Sequence, residues 1–228
     1  MIRKIWTIVL AVLLVNSATM WGGEVALDGA EVGKWTMDYQ AAVNLAKEKK
    51  LPLLLNFTGS DWCSWCILME RNVFSKTQWQ NYAKENVVMV TLDFPKNTSK
   101  VPQKYAQRNY DLQAKFGVQG YPTFIILDED GETVIGQLGA ARNPSPEWFI
   151  DQLEGITMFR ESALERKAKS LSGEKVKAFN EAVNAYNSTI SDFDNWLNTG
   201  PTKTEENIQI YQAFLNKIEA LKSKIATF

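Results

Sequence analysis

The chain contains no histidine. That absence excludes Ser-His-Asp and Cys-His catalysis, and it excludes histidine ligation of zinc or haem. Cysteine is almost as scarce, with Cys63 and Cys66 the only two in 228 residues. A structural zinc site takes four Cys or His ligands and two are on offer, so no metal ligands and no external cofactor are expected. An excess of either charge is lacking too. Lys and Arg number 25 against 26 acidic residues, a formal net charge of −1. Loss of Arg3 and Lys4 with a leader would leave 23 against 26, or −3. No basic stripe marks a nucleic-acid surface, and nucleic acid is not expected as a partner.

What is present is ordinary globular material: 45% apolar and 22% charged residues, which argues for a packed fold. Domains commonly run to roughly 100 to 150 residues, so one core plus an appendage is expected. At the N-terminus Arg3 and Lys4 precede an apolar run from Ile5 to Val15 and then small polar residues. This is signal-peptide architecture over residues 1–18, with the cleavage site unassigned. The run is short for a bilayer core about 30 Å thick, and an uncleaved membrane anchor is the alternative. Export would place the chain in the periplasm or outside the cell, where thiols are oxidised unless something reduces them. Residues 19–34 lack periodicity and read as a linker.

From Trp35 the pattern becomes regular. DYQAAVNLAKEKK puts Tyr39, Ala42, Val43 and Ala46 on one helical face with a basic last turn. LPLLLNF (51–57) and VVMVTLDF (87–94) are apolar runs of strand length, as for strands covered on both faces. Between them lie a helix over 64–74 and another over SKTQWQNYAKEN. A helix end with Gly117 as C-cap, a strand over 123–127, a DEDG turn and a paired strand over 132–138 follow. The order is αβααβαββ, and Ser145-Pro146-Glu147 opens a further helix. Beyond residue 155 no strand-like run occurs. Val176, Phe179, Val183, Tyr186, Ile190, Phe193 and Leu197 form a heptad seam, and after NTGPT a second apolar face runs from Ile208 to Ile225. Residues 156–228 therefore read as an antiparallel α-helical hairpin.

The stretch TGSDWCSWCILME carries both cysteines. Two residues apart on the first turn of a helix, their sulfurs come within reach of a reversible disulfide, and the helix N-terminus favours the thiolate of the first. Cys63, nearer the terminus and the solvent, would be the nucleophile. Cys66, a turn inside, would resolve the mixed disulfide. The later GYPTF places Pro122 directly before an apolar strand. That suits either a cis-proline whose preceding backbone faces an incoming peptide or an ordinary turn proline.

WCxxC after a buried strand, a second strand, GYPTF, a hairpin and a final helix together resemble the thioredoxin family over residues 35–155. Within it, SDWCSWCILMERNVFS and TLDF are most similar to exported thioredoxin-like disulfide reductases. The resemblance implies an α/β thioredoxin fold, a central mixed sheet flanked by helices. It also implies that Cys63 attacks and Cys66 resolves, that Pro122 is the cis-proline, that Trp62 is the flanking aromatic and that Tyr121 faces the disulfide. Two departures bear on chemistry. The acid that many thioredoxins place under the disulfide is matched by Asn56, which cannot take a proton at neutral pH. Asp61 and Glu70 are the candidates if a base is needed, with solvated surface charge as the alternative for each. Between the cysteines, Ser64 and Trp65 provide no cation to stabilise the Cys63 thiolate. The Cys63 pKa should not be extreme, and the potential should lie toward the reducing end.

The expected function is thus an exported dithiol reductase of protein or peptide disulfides, recharged by a membrane electron donor. A dimeric isomerase, paired through the C-terminal helices, or an oxidase is the alternative within the same chemistry. A non-catalytic binding module with a fixed disulfide is the alternative outside it. Trp62 is expected to be partly structural, and Trp65 exposed as a substrate rim.

Overall fold

The computed structural model describes Ser17–Met20 and Gly23–Phe228. Residues 1–16 of the expected signal peptide lie outside the described residues. The chain divides into two compact units, one up to Thr157 and one from Met158 to Phe228.

The first unit is built on a seven-stranded mixed sheet in the order β1-β2-β3-β5-β4-β6-β7. The strands are β1 (Ser17–Met20), β2 (Gly23–Ala26), β3 (Trp35–Thr36), β4 (Leu53–Thr58), β5 (Val88–Asp93), β6 (Thr123–Leu127) and β7 (Val134–Gly139). Its helices are α1 (Tyr39–Lys49), α2 (Ser64–Met69), α3 (Thr77–Asn86), α4 (Gln103–Lys115) and α5 (Pro146–Thr157). From α1 onward the order is the αβααβαββ expected from the sequence. Residues 19–34 are not simply a linker: β2 pairs parallel with β3 through Ala26 and Thr36. The Met37 amide and the Thr36 hydroxyl also donate to the Ala26 carbonyl. These are backbone-directed bonds that a four-residue strand makes without apolar alternation, which is why no pattern marks it.

β4 and β5 are parallel, and β6 lies antiparallel on the other side of β4. All six residues of β4, six of β5 and five of β6 are buried. Alternate side chains feed two apolar layers, as period-two geometry requires. Leu53, Leu55, Phe57, Val88, Val90, Leu92, Ile125 and Leu127 join α1 and α4 on one face. Leu54, Met89, Phe124 and Ile126 face Met69, Phe74, Trp79 and Phe149 on the other. Each such side chain contributes about 1.5–3 kcal/mol through burial. Phe74 makes edge contacts with Trp35, Trp79, Phe124 and Phe149 at 5.2–5.4 Å. It lies at the end of a five-residue π-helical turn, Glu70–Phe74, that continues α2. The single helix expected over 64–74 is therefore an α-helix widened in its second half, and the widening aims Phe74 into the aromatic cluster.

The second unit is helical. A helix α6 (Glu161–Ser170) precedes α7 (Glu174–Asn198) and α8 (Glu205–Ala226), so three helices replace the two of the expected hairpin. Ring contacts of Phe179 with Phe228 and of Trp196 with Tyr211 fix α7 and α8 antiparallel. Leu164, Phe179, Ala182 and Ile225 form its small core. The expected seam is only partly covered: Phe179 is buried, whereas Leu197 is exposed and the others lie between. Ala182 and Thr189 take buried positions instead, because small residues let α7 approach its neighbours closely.

Candidate active site

β4 delivers the chain to a tight loop, Gly59–Trp62, and that loop to the N-terminus of α2. The Trp62 and Cys63 amides both donate to the Gly59 carbonyl, at 3.2 and 2.9 Å. A Cβ on Gly59 would stand 2.5 Å from the Trp62 ring, so only glycine lets the ring lie there. Cys63 is the N-cap of α2: its Sγ accepts the Cys66 amide at 3.2 Å, and its carbonyl accepts the Ile67 amide at 3.0 Å. One helix-terminal N–H, that of Cys66, thus points at the first sulfur, an arrangement that favours a thiolate there when the pair is reduced. Here the two cysteines are joined as a disulfide.

Cys63 and Cys66 are equally buried, at 6% and 5% exposure. The expected greater exposure of Cys63 is corrected by the capping geometry, which turns its sulfur back onto the helix. Ser64, Trp62 and Trp65 are exposed beside them. Trp62 is tied down as well: its Nε1 donates to the Phe94 carbonyl at 2.8 Å, and its ring meets Tyr121 edge-on at 5.8 Å. The Tyr121–Pro122 peptide bond is cis, with Pro122 buried and Tyr121 half-buried.

The acidic candidates separate sharply. Both oxygens of Asp61 accept backbone amides, from Lys96 at 2.8 Å and Asn97 at 2.9 Å. Those bonds hold its carboxyl below the ordinary range. Glu70 is half-buried, and burial pushes its carboxyl up to about 7. It lies four residues after Cys66, on the same side of the helix. Asn56 is buried in β4 between Thr91 and Phe124, and its Oδ1 has no hydrogen-bond partner among the described residues.

Two supports were not anticipated from the sequence. Asp93, at the end of β5 and 3% exposed, accepts from the Ser60 amide at 2.8 Å and the Ser60 hydroxyl at 2.7 Å. Burial raises its carboxyl, and the Ser60 bonds oppose that rise. The Asp93 carbonyl in turn accepts from the buried Asn109 amide at 3.1 Å. A carboxylate ending a mostly apolar strand, inside the TLDF stretch, is the signal that could have flagged it. Phe94, which holds Trp62 through its carbonyl, entered only as the end of the TLDF stretch, with nothing to tie it to Trp62.

A buried disulfide capping a helix at the end of a central strand, on a sheet of this order, is the architecture of thioredoxin-fold thiol–disulfide oxidoreductases. The chain belongs to the thioredoxin-like family: residues 39–154 match the family described as thioredoxin-like domain. It is 34% identical over 94 residues to the disulfide bond reductase DsbH of Chlamydia pneumoniae, covering 41% of this chain and 56% of that protein. It is 31% identical over 119 residues to the thioredoxin-related protein DsbJ of the same organism, covering 52% and 34%. The match thus spans about half or less of the length of these relatives. A solved DsbH oxidoreductase superposes with a TM-score of 0.51 at 26% identity, covering 58% of this chain and 88% of that one. Proteins of this family work through a cysteine pair, and no group of three or more metal-ligating side chains occurs among the described residues.

Proposed function

We propose that the chain is an exported dithiol reductase of protein disulfides. The observation that carries this is Cys63 Sγ capping α2 with no cation in the motif, since Ser64 and Trp65 alone separate the cysteines. A helix N-terminus is enough to make a usable thiolate; the added positive charge that drives a pair toward oxidation is absent. In the reduced protein the Cys63 thiolate attacks one sulfur of a substrate disulfide. The substrate S–S bond breaks, a mixed disulfide forms, and the departing substrate thiolate takes a proton. Cys66 then gives its proton to the Glu70 carboxylate and attacks the Cys63 sulfur. The Cys63–Cys66 disulfide closes and the second substrate thiol leaves. Two electrons have passed to the substrate, and a dithiol donor at the membrane returns them.

In this reading Glu70 is the proton acceptor, because its carboxyl titrates where proton transfer to and from thiols is efficient. Asp61 is a loop anchor. Asn56 offers an unused acceptor under the pair. The backbone before Pro122 receives the substrate segment, and Trp65 forms the exposed rim. Export rests on the charged and apolar N-terminal run, and no helix among the described residues is long and apolar enough to cross a membrane.

Insulin reduction with dithiothreitol, together with the potential of the Cys63–Cys66 couple, tests the proposal. Acceleration over reductant alone and a potential well below the strongly oxidising value of about −120 mV are expected. No acceleration would favour a fixed disulfide, and a potential near that value would favour an oxidase. A dimeric isomerase has one observation in its favour. Phe193, Trp196, Tyr211 and Phe214 cluster where no residue from Ile190 to Lys217 is buried. Mass in solution and refolding of scrambled ribonuclease separate that reading from a monomeric reductase.

A further inference from the structure

We infer that the rings beside the disulfide form a docking track for an extended polypeptide segment, with Tyr110 as its outer anchor. The preferred substrates are then flexible segments carrying an aromatic side chain within about five residues of the reacting cysteine. This rests on the thiol–disulfide reading above. Trp62, next to Cys63, meets Tyr121 edge-on at 5.8 Å; Tyr121 meets Phe94 at 5.1 Å; and Phe94 meets Tyr110 edge-on at 5.3 Å. The series is rigidly mounted. Trp62 Nε1 is bonded to the Phe94 carbonyl, and the Phe94 ring stacks at 6.5 Å on Phe57, which is fully buried.

Tyr110 comes from α4, far along the chain from the cysteines, and is 58% exposed. A solitary surface aromatic is commonplace. This one ends a continuous set of ring contacts that starts beside the reactive sulfur, and that continuity selects the occupant. Whatever covers the track must also present a sulfur to Cys63, so it is a polypeptide carrying a cystine. Three centroid steps place Tyr110 within about 16 Å of Trp62, a distance that extended chain at ~3.3 Å per residue spans in about five residues. The open edge of Tyr110 accepts one more ring in the offset or edge-on geometry that aromatic pairs prefer.

The test compares two disulfide-linked peptides, identical except for phenylalanine or alanine five residues from the cysteine, with 2-hydroxyethyl disulfide as a substrate lacking any peptide. The native chain and Tyr110→Phe should reduce the phenylalanine peptide with kcat/KM roughly fivefold above the alanine peptide. Tyr110→Ala should abolish that preference and leave reduction of 2-hydroxyethyl disulfide unchanged. Equal rates on the two peptides, or a preference that survives Tyr110→Ala, would overturn the docking track while small-disulfide reduction continues. Failure of the native chain to reduce 2-hydroxyethyl disulfide would overturn the redox reading, and the track with it.

Discussion

The sheet unit and the helical unit use aromatic residues in opposite ways. In the first, Trp35, Phe74, Trp79, Phe124 and Phe149 meet edge to face inside the fold, with Trp79, Phe124 and Phe149 at 1% exposure or less. In the second, Phe193, Trp196, Tyr211 and Phe214 also meet, yet Tyr211 is 39% exposed and none of the four is buried. A sheet with helices on both faces has an interior for whole rings. A helical pair has one seam, and its rings stay half outside unless another surface covers them. The same residue types therefore contribute stability in one unit and mainly available surface in the other.

Substitutions can break or sharpen that contrast. Phe74→Ala, at the hub of the buried cluster, is expected to cost about 3–5 kcal/mol in urea unfolding, with a loosened α2 and slower thiol exchange. A loss below about 1 kcal/mol would erase the contrast. Phe179→Ala removes the one buried ring of the helical unit, which packs on Phe228 at 5.5 Å. It should cost about 3 kcal/mol of that unit's helical signal in circular dichroism melts, while the disulfide stays reducible at the native rate.

Glu70→Gln should act through pH. The Glu70 carboxyl holds its proton up to about 7 in the folded protein against 4.5 for the unreacted reference group. A raised carboxylate pKa means that the folded state binds the extra proton. Stability is therefore full below about 4.5 and falls as pH rises through about 7. Discounted for partial solvent access, the native chain should lose roughly 2 kcal/mol between pH 4 and pH 8 that the glutamine variant keeps. Equal pH profiles would remove Glu70 as a perturbed group. The smallest effect is expected from Trp196→Ala in the uncovered half of the hairpin, within about 1 kcal/mol by thermal melting. A loss of several kcal/mol that grows with protein concentration would show that a second copy covers these rings.

Much of the first unit was legible in sequence because its strands are buried on both faces. LPLLLNF and VVMVTLDF read as central strands without any partner being known; β5 falls within the second, and β4 covers most of the first and runs one residue past it to Thr58. β2 was not legible, since its pairing uses backbone groups that every residue possesses. The helical unit shows the reverse error. The seam of Val176 to Leu197 is regular, but periodicity states which side chains share a face and not what, if anything, packs against it. At the site, CxxC and GYPTF marked the cysteines and Pro122, Phe94 entered only as the end of TLDF, and Tyr110 left no mark. They matter only because β5 and α4 bring them beside Trp62 and Tyr121.

The sequence by itself settled the available chemistry. With no histidine and two cysteines at one spacing, histidine-dependent catalysis is excluded and a dithiol–disulfide pair is the chemistry the motif offers. Tertiary structure decided how the two acidic candidates beside the cysteines ionise. Asp61 and Glu70 look alike in sequence, one two residues before Cys63 and the other four after Cys66. The fold gives Asp61 two backbone N–H donors that stabilise its charge, and gives Glu70 a half-buried place that penalises it. Ionisation depends on local solvation and on hydrogen bonds from distant segments, and those exist only once the chain has folded.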